Sequence, residues 1–155
     1  MCSSDLTPMK VRELFAAKVV SGIILSFIPA ALFMAVVGGM NSQPLVVLTA
    51  MLLGAVMVTG ISFLVAALSK DFMSILGWVF VLLIIMAIPA VGIMMPGTIT
   101  GWARAIPSYY LVLPVHQAAH YGSGWGDVGH YMLALVGFDL AFIWLGITVL
   151  RRRFQ

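Results

Sequence analysis

The stretch FMSILGWVFVLLIIMAIPAVGIMM, residues 72–95, contains no Asp, Glu, Lys, Arg or His. A strand in a globular protein rarely exceeds about 10 residues, and a surface helix keeps one polar face. This stretch is too long for the first and too uniformly apolar for the second. About 20 such residues cross the hydrocarbon core of a bilayer, so it reads as a membrane-spanning helix. Just upstream, Ser69-Lys70-Asp71 is too short and too charged to be anything but a tight turn at the membrane surface. Residues 45–68 therefore form a second span returning beside it. Residues 19–40 supply a first span, ended by the turn-forming Asn41-Ser42-Gln43-Pro44, and residues 129–150 a last one, ended by Arg151-Arg152-Arg153. The first span is not a signal peptide: it follows a polar lead and lacks a small-residue cleavage site.

Composition agrees with lipid as the solvent. Of 155 residues, 63% are hydrophobic and 8% charged, and the mean hydropathy is +1.13. A soluble domain is about 45–50% apolar and about 25% charged. Eight Lys and Arg with five Asp and Glu cannot clothe a globular surface. The single cysteine, Cys2, excludes an internal disulfide framework and a Cys-rich metal site. The only basic run closes an apolar helix, so nucleic acid is not an expected partner.

Lys and Arg are retained on the cytoplasmic side. Four spans place Lys10, Arg12, Lys18, Lys70 and Arg151 to Arg153 on one side and Arg104 alone on the other. Both ends are thus expected in the cytoplasm, in a multi-pass protein of the plasma or inner membrane. Small residues recur every fourth position, as Gly22, Ser26 and Ala30, as Ala50 with Gly54, and as Ser62 with Ala66. Such stripes let helix backbones approach closely, within the chain or between subunits. Pro29 and Pro89 stand mid-span and are expected to bend their helices.

Residues 96–128 are apolar in the middle but too short to cross. Pro107 and Pro114 are expected to break this outer region into pieces, and Trp102, Tyr109 and Tyr110 belong to the aromatic class found at headgroup level. A re-entrant or interfacial pair of short helices satisfies these constraints if its backbone is buried in protein or faces water. Residues 122–127, GSGWGD, read as a flexible loop before the last span.

His116 and His120 share a helix face in HQAAH, but Gln117 stands where a zinc protease needs its general-base Glu. They read as interfacial histidines, and no metal ligand is assigned. Asp139 lies near the centre of the last span, where an ionisable group costs about 2.5–3.5 kcal/mol and must face the bundle interior or a wet cavity. It is either a proton or substrate site or a hydrogen-bonded packing residue. Arg104 is its partner only if the outer region dips deep. There is no GxxxxGK[ST] phosphate loop and no nucleophile–base pair, so no catalytic residue is assigned and any energy source lies on another chain.

The order of these features resembles the carboxyl-terminal half of an ATP-binding-cassette type-2 permease, the membrane subunit of many exporters. Members carry a cytoplasmic stretch of the form TP-(small)-x-x-E-(hydrophobic)-x-x-x-K before their third membrane helix. Here residues 7–18 read TPMKVRELFAAK, with Met9 bulkier than usual. The turn LSKD, the outer MPGTITGWARAIPSYYLVLP and the closing RRRF are similar in order to the family pattern. The resemblance implies that Thr7, Pro8, Arg12, Glu13, Leu14, Phe15 and Lys18 belong to a coupling helix seated on an ATPase subunit. Thr7 suits an N-cap and Pro8 the first helical position, and Val11, Leu14 and Phe15 share one face. A helix resting on anionic headgroups has the same pattern. The family also implies a second permease copy, with ATP and Mg2+ held by the partner and no cofactor on this chain. A self-sufficient channel or proton-coupled carrier using Asp139 is the alternative. Family members have six membrane helices, two of which would precede Thr7. Residues 1–6 are accordingly expected to be a non-native or truncated lead to a single transmembrane domain, residues 7–155.

Overall fold

The computed structural model describes residues 11–69, 71–95 and 101–153. It is helical throughout, with no strand among the described residues. The helices are α1 (Val11–Val36), α2 (Pro44–Leu68), α3 (Phe72–Met94), α4 (Tyr109–Tyr121) and α5 (Trp125–Arg153), with a 3₁₀ turn at Gly101–Ala105. Four stretches are long and apolar enough to cross a membrane: Ala16–Val36, Pro44–Leu68, Phe72–Met94 and Trp125–Gly146. The chain is a polytopic membrane helix bundle.

Local chemistry sets the ends of these helices. Pro44 occupies the start of α2, where its missing N–H costs nothing. Gly38, at φ 79°, turns the chain after α1 in a conformation that favours glycine. The short link between α2 and α3 is tied on both sides. Ser69 N–H donates to Val65 O at 2.9 Å, and the Asp71 carboxylate accepts from Ser74 N–H at 2.7 Å as the N-cap of α3. At the end of α4, Gly122 takes φ 65°, and both its N–H and that of Ser123 donate to Gln117 O.

α2 is the central helix. It packs against α1, α4 and α5, and holds more buried positions than any other helix, whereas α3 has only Pro89 buried among its described residues. α5 runs in the same direction as α2: Val128 and Met132 cluster with Val46, Val47 and Ala50, and Phe142 lies beside Gly60. α1 runs the opposite way, with Gly22 against Thr59. α4 also opposes α2, so Ala118 joins the cluster near Pro44 while Leu111 reaches Gly54, about 15 Å further along.

Several expectations are adjusted. The charged segment and the first span are one helix from Val11, because Arg12 to Lys18 are mostly good helix formers and no proline intervenes before Pro29. That helix stops at Val36 rather than residue 40. α5 begins at Trp125, so only residues 122–124 remain of the loop expected over residues 122–127. Pro107 does separate the 3₁₀ turn from α4, but Pro114 lies buried inside an unbroken helix. A proline's lost hydrogen bond is tolerated where neighbouring helices hold the segment. α1 and α3 likewise continue through Pro29 and Pro89.

Asp71→Ala removes the cap of α3. It should lower stability by about 1 kcal/mol in a reversible unfolding assay in bicelles, leaving the helix content unchanged.

Candidate functional site

The segment that folds back from α3 is the most elaborate part of the bundle. Ser108 is buried, and its hydroxyl donates to the Met86 carbonyl at 2.8 Å. Met86 stands in the turn before Pro89, where the ring disturbs the helical ladder and hydroxyls commonly re-satisfy carbonyls. This bond fixes the start of α4 against α3, about 12 Å short of the α3 end at Met94. The segment thus has the form of a re-entrant element, which descends through the 3₁₀ turn and climbs back as α4.

An aromatic ladder joins α4 to α5. Tyr110 lies 5.6 Å from Phe138 and 6.3 Å from Tyr131, measured between ring centroids, and Tyr109 lies 6.4 Å from Tyr131. Tyr131 and Phe138 are two helical turns apart and so share one face of α5. On the other side, α4 enters α2 at Gly54. A Cβ there would lie 2.7 Å from a Leu111 methyl carbon, so only glycine accepts α4 at this depth without displacement. Of the sequence-derived residues, Tyr109, Tyr110 and Pro114 meet in α4, with Pro107 in the turn before it. Trp102 stays exposed.

A groove of about 520 Å3 separates α2 from α3 beneath the start of α4. Ser62, Val65, Ile75, Leu83, Met86 and Ser108 are among its walls. Both serines are turned inward, since Ser62 donates to Val58 O at 2.7 Å. The groove is therefore apolar despite its hydroxyls. Ser62 and Ala66, one of the small-residue stripes, line it rather than a neighbouring helix. The other stripes are used within the chain, Gly22 against α2 and Gly54 against α4.

Asp139 is 4% exposed, and no hydrogen-bond donor of the described residues reaches either carboxylate oxygen. Arg104 lies elsewhere, on a pocket with Pro89, Gly92 and Ile93, and is not its partner. His116 and His120 stack at 4.6 Å, with His120 Nδ1 3.3 Å from the His116 carbonyl. No three His, Cys, Asp or Glu side chains converge among the described residues. α4 lies outside the four spans, and there burial, then the neighbouring His120, holds His116 below the usual histidine range.

Of the proposed coupling residues, Thr7 and Pro8 lie outside the described residues. Arg12, Glu13, Leu14 and Phe15 are placed by their helical backbone alone. Lys18 is exposed on α1. Sequence reasoning missed Ser108 and the Gly60–Gly146 contact region. Ser108 follows a proline and reads as turn chemistry, and Gly146 stands alone in its span with no small residue four positions away.

Residues 5–148 match the model of the ABC-2 family transporter proteins. The chain belongs to that family, and is a multi-pass permease of the ABC transporter class. No curated protein and no solved structure matches it.

Gly54→Val should push α4 away from α2, at a cost of about 1–3 kcal/mol. Hydrogen exchange at residues 108–112 should rise, whereas Gly77→Ala, where a Cβ meets nothing within 4 Å, should leave it unchanged. For the histidines, NMR should find His116 titrating below the usual value of about 6.5, and His120→Gln should move it upward. Because the folded form disfavours protonated His116, its contribution to stability is present above that value and lost as the pH falls.

Proposed function

We propose that the chain is a membrane-spanning subunit of an ATP-binding-cassette exporter, which moves cargo by alternating access driven by a separate ATPase. The observation that carries this reading is the continuity of α1. The charged segment from Val11 onward and the first span are one helix, which reaches Thr59 of the central helix at Gly22. A push on Arg12, Glu13, Leu14 or Phe15 would therefore travel along a rigid rod into α2, with no hinge to absorb it. ATP and Mg2+ belong to the partner, and this chain supplies the lever and the bundle. Family membership supports this arrangement over a stand-alone channel or a carrier powered by Asp139.

The distribution of basic residues supports a cytoplasmic α1 start, Lys70 turn and α5 end, which would face the lever toward the compartment that holds ATP. The enclosing membrane is then the plasma or inner membrane. A second permease copy completes the pathway. The uncovered faces of α1 and α3, together with the groove bearing Ser62 and Ala66, give it room to dock.

The test uses the tagged chain, purified with its ATPase into nanodiscs, in a Cys2→Ser background with a reporter thiol at Leu83. ATP should change thiol labelling at that position. In Glu13→Ala or Phe15→Ala the chain should still insert and the ATPase still hydrolyse ATP, while the ATP-dependent change is largely lost. An undiminished change in both variants removes these residues from coupling. Failure of any ATPase to copurify contradicts the function itself.

A further inference from the structure

We propose that Asp139 is a proton-operated latch between α5 and α2. It is a neutral carboxylic acid while the helices are packed, and it gives its proton to water when they part. This holds whichever subunit supplies the energy for transport.

Asp139 occupies the face of α5 that meets α2. Val128, Met132 and Leu135 are buried above it on the same helical stripe, and Phe142 and Gly146 touch Gly60 and Phe63 below it. At 4% exposed, it is nearly shut off from water and from other subunits in this packing. An ionised carboxylate only accepts hydrogen bonds, and this site offers it no donor. The helical N–H groups are spent on their own ladders. Four span hydroxyls are spent as well: Thr49, Thr59, Ser62 and Thr148 each donate to the carbonyl four residues before them, at 2.7–2.8 Å. No cation compensates either. α2 contains no titratable residue, α4 presents Tyr109 and Tyr110, and the nearest titratable groups of α5 are His130 and Tyr131, two turns away. On α1, which packs on α2, the nearest charge is the exposed Lys18.

A protonated carboxyl resolves the mismatch. It carries its own donor, which the carbonyl of Leu135 can accept in the manner of the four hydroxyls, and it removes the charge from the hydrocarbon layer. Once wetted, an aspartic acid is ionised at neutral pH. Separation of α5 from α2 at Asp139 therefore releases one proton. The sign follows by linkage. The packed form binds the proton, so acid favours packing and rising pH favours parting. The ratio changes by up to tenfold per pH unit where only the packed form is protonated.

Infrared spectra of the chain in nanodiscs at neutral pH should contain the carbonyl band of a protonated carboxylic acid, absent from Asp139→Asn. Spin labels at the exposed Val58 and Leu140, in a Cys2→Ser background, should report a parted population. That population should grow in the parent chain as the pH rises above the ordinary aspartate value of about 3.9, but not in Asp139→Asn. Absence of the band, or equal growth in both chains, overturns the latch. If the Asn variant does not insert, the parent alone decides: its band must fade over the pH range in which the parted population grows, and a band that stays constant overturns the proposal.

Discussion

Close approach of backbones to α2 is the constraint on which this bundle depends. Between helices immersed in lipid there is no hydrophobic drive to associate, so packing must come from contact itself. α2 meets that demand on three sides. Gly22 of α1 lies on Thr59, Gly54 admits Leu111 of α4, and Gly60 lies against Phe142 of α5. α1 and α3 flank the assembly and leave most of their surface to the membrane or to other subunits. The bundle is tightest where α4 and α5 share α2, in the cluster of Val46, Val47, Ala50, Ala118, Val128 and Met132.

A second constraint, the need to satisfy polar groups away from water, explains the finer features. Ser108 serves a carbonyl in the turn that Pro89 disturbs, and Thr49, Thr59, Ser62 and Thr148 serve their own helices. Asp139, by contrast, is buried at the seam between α2 and α5 with no donor for its carboxylate among the described residues. Such a group is costly in hydrocarbon and invites a role in moving between states. The aromatic ladder of Tyr109, Tyr110, Tyr131 and Phe138 lies beside that seam, on the neighbouring face of α5 that meets α4.

Much of the fold was legible in the sequence because span length and apolarity are set by bilayer thickness. The second and third spans agree with α2 and α3 to within a residue at each end. The small-residue stripes at Gly22 and Gly54 also pointed to real contacts. Other features were illegible for a physical reason. Glycines around Trp125 look like a loop, yet packing of Val128 against α2 carries α5 up through them. Pro114 looks like a breaker, but its neighbours hold the helix around it. The stripe of Ser62 and Ala66 has the same spacing as the others but faces an open groove, which periodicity alone does not distinguish. The absence of a donor for Asp139 is a three-dimensional fact that no local pattern carries.

The seating of α4 in α2 is the most direct point at which to examine the architecture. Cysteines at Gly54 and Leu111, in a Cys2→Ser background, should form an intramolecular disulfide in native membranes under mild oxidation, before any detergent is added. No bond between these positions, or a bond formed only between separate chains, would contradict a re-entrant helix anchored on α2.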